Sequence, residues 1–192
     1  MNTKDYFLRS QELFANGVKG ILPEDLHKPT PCTEWDVEKL VQHLVFEELW
    51  MAPMLNSIKI DDVTEDFEAL SKEGDVVTTF VNANNKAVDL VNAHEDMMSI
   101  VHTSYGDITA EAYLTDMATD HLIHAWDLLI ATNEDAELPE DLVEYCYEIM
   151  KDKMPEFQTS GMYKPSLNVA DDASTQVKLL GLFGRDANWK KS

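Results

Sequence analysis

The chain has 192 residues, 44% of them hydrophobic, and a formal net charge of −21 at pH 7, which suits one globular domain over residues 1–192 with a core of its own. A chain this acidic repels phosphate backbones and anionic lipid, so no nucleic acid and no membrane is expected as a partner. The charge reads as solubility, or else as adaptation to salt or to a cationic partner.

In chain order, the opening MNTKDYFLRS lacks the apolar core of a signal peptide, and no apolar run reaches the roughly 18 residues of a membrane span, so a cytoplasmic protein is expected. Phe7, Leu8, Leu13, Phe14, Val18 and Ile21 recur at helical period and predict a first helix over Asp5 to Ile21, weakened at its end by Gly17 and Gly20. Pro23 to Pro31 reads as a loop. In PTPCTEWD, Thr33 is the expected N-cap of a second helix, with Glu34 and Asp36 in its first turn. This helix should run to about Met51, before Pro53, with Val37, Leu40, Val41, Leu44 and Val45 on its apolar face. Cys32 and Cys146 show neither CxxC nor zinc-ribbon spacing, and no disulfide is expected in a reducing compartment; Cys32, between Pro31 and Trp35, belongs to a packed corner.

Met51 to Gly74 is acidic and weakly periodic, a loop or short helix placed to cover a site. Asp75 to Ala93 predicts a third helix, ended by His94. In DMMSIVHTSYGDITAEA, Met98, Ile100 and His102 alternate with polar residues and Tyr105-Gly106-Asp107 supplies a turn, which predicts a short β-hairpin. A long helix should follow from Thr109 to Thr132, then an acidic loop over Asn133 to Glu137. A last helix is expected from Pro139 to about Met154, with the proline at its first position.

The chemistry concentrates in ATDHLIHAWDLLIAT, Ala118 to Thr132. Leu114, Met117, Ala118, Leu122, Ala125, Leu128 and Leu129 form a broad apolar stripe, with His121 inside it and His124 at its margin. Asp120 precedes His124 by four residues, so a carboxylate oxygen and an imidazole nitrogen can converge on one point. Two groups do not make a metal site; a third ligand must come from elsewhere. On the second helix His43 and Glu47 stand one turn apart, with Glu48 nearby. Two helices that each carry histidine and carboxylate one turn apart beside their apolar faces are how metal sites in bundles are built. Trp35 and Trp126 read as anchors, and Asp127 as an acceptor for a ligand histidine or a loop amide.

Three segments, PTPCTEWDVEKLVQHLV, TDHLIHAWDLLIAT and VADDASTQVKLLGLFGRDANW, together spanning nearly the whole chain, resemble the N-terminal domain of mycothiol-dependent maleylpyruvate isomerase, within the DinB/YfiT-like superfamily. The resemblance implies an all-α fold: an antiparallel four-helix bundle with a short β-hairpin and an extra C-terminal helix. It also implies a divalent metal, zinc or else nickel, near one end. The family's ligands are a histidine on the second helix, and an acid or histidine followed four residues later by histidine on the last bundle helix. His43, Asp120 and His124 match those positions; Asp120 stands where relatives often carry glutamate or histidine.

A divalent ion on two imidazoles and one carboxylate keeps a net positive charge and an open position. The expected activity is thiol S-transfer to a small-molecule substrate, with a low-molecular-weight thiol of the mycothiol or bacillithiol type; a metal-dependent hydrolase is the related alternative. Catalytic candidates are His121, as proton shuttle or ligand partner if it points into the cavity, and Glu47, as general base or as the group that orients His43. Outside catalysis, the same residues fit a metal-stabilised binding or stress-response module, or a metal-free bundle with its histidines paired to Asp120 and Glu47. A homodimer is compatible with a bundle of this size, although no patch in the sequence marks an interface.

Overall fold

The computed structural model describes residues 1–159 and 165–190. Those residues are mostly helical, with one two-stranded antiparallel sheet among them. Each long helix begins at a side chain that takes an orphan backbone N–H. Asn2 accepts from the Asp5 amide at 2.9 Å and opens α1 (Thr3–Lys19). Asp36 accepts from the Lys39 amide at 3.0 Å and opens α2 (Val37–Leu55). After the short α3 (Phe67–Leu70), Asp75 accepts from the Thr78 amide at 2.8 Å and opens α4 (Val76–Ala93).

A hairpin of β1 (Ile100–Thr103) and β2 (Gly106–Thr109) follows, with His102 paired to Asp107 and Thr103 to Gly106. Thr109 then caps α5 (Ala110–Thr132), which stops at Asn133 in the left-handed conformation, φ 63°. The remaining helices are α6 (Glu140–Met150), α7 (Met154–Thr159) and α8 (Thr175–Leu182).

Among the four long helices, α1 packs along α5 and α2 along α4, and the pairs meet through α1–α4 and α2–α5 contacts. One apolar cluster fills the end built around Tyr6, Phe7, Met51, Leu114 and Leu122, and α6 and α8 close over it. A second, around Phe14, Leu40, Leu44, Phe80 and Leu128, fills the other end. The α2–α5 contact matters most for function, because it sets the polar residues of the two helices face to face. No helix among the described residues is long and apolar enough to cross a membrane.

Several boundaries differ from the sequence-based expectation, each for a physical reason. Helix α2 starts at Asp36 and not at Thr33, because Pro29 bridges Asp36 and the Thr30 hydroxyl donates to the Trp35 carbonyl at 2.8 Å. These bonds hold residues 31–35 as a corner, with Cys32 half-buried in it. The helix also runs through Pro53. Burying Met54 and Leu55 gains about 1.5–3 kcal/mol each, which outweighs the roughly 3 kcal/mol of a helical proline.

In the hairpin the buried residue is Val101, while Met98 and Ile100 are exposed, so the alternation has the opposite phase to the one expected. The last expected helix ends at Met150, short of Met154, and α7 follows it. Pro155 cannot donate to the carbonyl four residues back, so the chain turns after Met150 and restarts with the proline in the first turn of α7. Helix α8 was not anticipated. Its Gln176 side chain accepts from the Leu138 amide and donates to the Ala136 carbonyl, both at 2.9 Å, which ties it to the α5–α6 loop.

Because Asp36 sits two turns before His43, its cap is a sensitive point. Asp36→Ala should lower stability by about 1 kcal/mol in urea unfolding; an unchanged midpoint would contradict this helix start.

Candidate metal centre

Residues three and four apart on a helix share a face, and two such rows meet where α2 and α5 touch. On α2 the row is His43, Phe46, Glu47, Trp50 and Met54; on α5 it is Tyr113, Asp116, Met117 and Asp120. The rows line a cavity of about 420 Å³, closed at the rim by Thr103, Ser104 and Tyr105 of the hairpin, Ile60 and Phe157. A second cavity of about 370 Å³ adjoins the same His43 and Phe46, and Trp35, Lys39, Glu68 and Lys72 also line it.

At the head of the larger cavity three predicted residues come together. His43 Nε2 lies 3.0 Å from Asp120 Oδ2, and His124 Nε2 lies 3.4 Å from Asp120 Oδ1. One ligand atom from each of the three falls within 4.8 Å of the others. The side chains of His43 and Asp120 are 23% and 24% exposed, so the cluster is reachable from outside. Burial works against the charge on Asp120, but His124, His43 and His121 outweigh it and hold the carboxyl well below the usual carboxylate range. Burial alone would lower the pKa of His43; the Asp120 carboxylate more than reverses this and raises it above the ordinary imidazole value.

Behind the cluster a buried chain of polar contacts fixes His124. Its Nδ1 donates to Asp127 Oδ2 at 2.9 Å, and Arg185 Nη2 donates to the same oxygen at 2.8 Å. Arg185 Nε reaches Asp127 Oδ1 at 3.3 Å, and Nη1 donates to the Phe183 carbonyl at 3.0 Å. Burial would raise the Asp127 pKa, yet His124 and Arg185 bring it below the ordinary value. The Nδ1 contact with Asp127 turns His124 Nε2 toward the cluster. The Trp35 ring covers both histidines, its centroid 4.5 Å from that of His43 and 5.6 Å from that of His124.

The two other predicted residues are placed differently. Glu47 lines the cavity beside His43, and burial raises its pKa despite the nearby histidines. His121 is fully buried and does not line the cavity. Its Nδ1 donates to the Met117 carbonyl at 2.7 Å, and its Nε2 lies 3.2 Å from Glu48 Oε1, which also accepts from Gln11 Nε2 at 3.0 Å. Phe7 and Phe14 pack edge-on against its ring. A shuttle role for His121 was conditional on the ring pointing into the cavity, and it points into the core. His102, the strand histidine, pairs with Asp107 at 2.7 Å.

Arg185, Trp35, Tyr113, Tyr105 and Asp116 were missed as parts of the site. Tyr113 and Asp116 carry a local signal, since they precede Asp120 by seven and four residues on the same face. Tyr105, whose hydroxyl donates to Asp116 Oδ2 at 3.3 Å, has its pKa pushed up to about 12, chiefly by burial. Burial likewise raises Asp116. Arg185 lies 58 residues from Asp127 and carries no local signal.

Compared with known proteins, residues 7–129 match the profile of the family described as mycothiol maleylpyruvate isomerase N-terminal domain. Uncharacterized proteins from two strains of Mycobacterium tuberculosis are each 27% identical over 138 residues, 70% of this chain and 69% of the relative. No solved structure matches.

The Asp127–Arg185 pair is buried on both sides, and removing one partner leaves an uncompensated charge. Arg185→Ala should cost about 3–5 kcal/mol, with partial recovery in Arg185→Ala/Asp127→Asn, read by chemical denaturation. A loss under 1 kcal/mol would mean that the pair does not hold the site.

Proposed function

The chain belongs to the mycothiol maleylpyruvate isomerase N-terminal-domain family, within the DinB/YfiT-like superfamily, and from that premise we propose that it is a metal-dependent thiol S-transferase. In this reading the four long helices form the superfamily's antiparallel bundle, and His43, Asp120 and His124 hold a divalent ion. The observation that carries it is the convergence of those three side chains at the head of a cavity, with ligand atoms within 4.8 Å of one another. The donor set suits zinc first and nickel next: two imidazoles, one carboxylate and room for a further ligand. The Arg185–Asp127–His124 relay supports the same reading, because it engages Nδ1 and directs Nε2 toward Asp120 and His43.

When bound, such an ion lowers the pKa of a coordinated thiol and so makes it a nucleophile near neutral pH. Glu47 takes the thiol proton; burial has already moved its carboxyl upward, the direction that suits a general base. The sulfur of a mycothiol- or bacillithiol-like thiol forms a bond to an electrophilic carbon, and the leaving group departs with the electron pair. Trp35 and Asp127 hold the two histidines in place. His121 acts at one remove, keeping α2 and α5 in register through Glu48. Two substrates must meet in such a reaction, and two cavities adjoin His43 and Phe46.

The second reading is a metal-stabilised binding module, in which the contacts joining His43, Asp120, His124, Asp127 and Arg185 serve stability alone. The two are separated by assaying zinc-loaded protein with a panel of small thiols and an aryl halide, following thioether formation. Transfer above background is expected, abolished in His43→Ala and slowed about 10²–10⁴-fold in Glu47→Gln. Zinc-loaded protein that transfers none of the thiols would overturn the transferase reading and leave the binding module.

A further inference from the structure

We propose that the larger cavity is a receptor for an organic ammonium, an amine carried on an aromatic or other apolar body. The proposal names the class of second substrate for the transferase reading, and rests on that reading for the reaction but not for the binding.

Tyr113 is the first ground. It is 6% exposed and lines the cavity, and among the described residues its hydroxyl has no hydrogen-bond partner. Glu47 and Tyr105 stand with it in the cavity wall. A buried hydroxyl left unpaired calls for a partner, which a ligand group in the cavity can supply.

The second ground is charge. Glu47 stands on the α2 wall and Asp116 on the α5 wall, and no lysine or arginine lines the cavity. Arg185, the cation deep in the same end, is committed to Asp127. A divalent ion at the head would offset Asp120; of the other two carboxylates, Glu47 faces His43, and Asp116 feels Lys153 from outside the lining. Phe46, Trp50 and Phe157 supply the rest of the lining, and aromatic faces attract cations.

An alkylammonium has three N–H donors and no acceptor. Asp116, Glu47 and the Tyr113 oxygen are acceptors in its wall, and the rings take the apolar body. A carboxylate ligand in the same place would meet two like charges, and no lysine or arginine in the lining.

Three probes of nearly equal shape test this by calorimetric titration of the full chain: phenethylamine, 2-phenylethanol and phenylacetate. With chelator-treated protein, the amine should bind about tenfold or more tighter than the alcohol, and phenylacetate weakest. The near-isosteric Asp116→Asn and Tyr113→Phe should each bring the amine toward the alcohol while the alcohol's affinity stays within about twofold, which a folding defect would not do. Equal affinities for the three probes, a preference for phenylacetate, or an amine preference that survives Asp116→Asn would each overturn the proposal. A parallel zinc titration separates the two claims. Zinc uptake without amine preference defeats this proposal alone, and amine preference without zinc uptake defeats the metal reading alone.

Discussion

Helix α5 is buried along nearly its whole length, and it carries four ionisable groups, His121, His124 and Asp127 shut off from water and Asp120 partly so. A buried charge or imidazole without a partner costs several kcal/mol, so the fold must bring a partner to each. His43 of α2 meets Asp120, Glu48 of α2 meets His121, and Arg185, beyond α8, meets Asp127, which in turn holds His124. These pairings fix how α2 lies on α5 and why the segment after α8 folds back over the helix. Thr115 and Thr119 of the same helix are satisfied locally, by the carbonyls four residues back, and so make no such demand.

The same requirement sorts the histidines by chemistry. His121 has both ring nitrogens engaged and aromatic rings against its faces, so it can only hold structure together. Burial lowers its pKa, but Glu48 reverses the effect and raises it, as expected of a pair that shares a proton inside the core. His43 and His124 differ because their partner Asp120 sits at a cavity and stays partly exposed. The cluster is thus oriented from behind by buried ionic contacts and open in front.

Much of this was legible in the sequence, and the parts that were not share a cause. The helical periods placed α1, α2, α4 and α5 to within a few residues, and the four-residue step from Asp120 to His124 marked one side of the centre. His43 became visible through its own one-turn relation to Glu47. Contacts between distant elements left no such trace: Arg185 with Asp127, and the Trp35 ring over His43, depend on how the chain returns. The near-complete burial of α5 also blurred its face, so Tyr113 and Asp116 passed for filler although they lie in register with Asp120. In the hairpin, the large Met98 and Ile100 are exposed and the smaller Val101 is buried, because alternation alone does not say which face the helices cover.

The account stands or falls on whether His43, Asp120 and His124 bind metal. The most direct measurement is elemental mass spectrometry of protein purified without chelator or histidine tag, beside His43→Ala and His124→Ala variants that retain their helical content. Near one equivalent of zinc or nickel in the parent chain, lost in both variants, is the predicted result. Protein that carries no metal and takes up neither ion on titration would contradict it, and the cluster would then be a set of paired side chains that only holds α2 to α5.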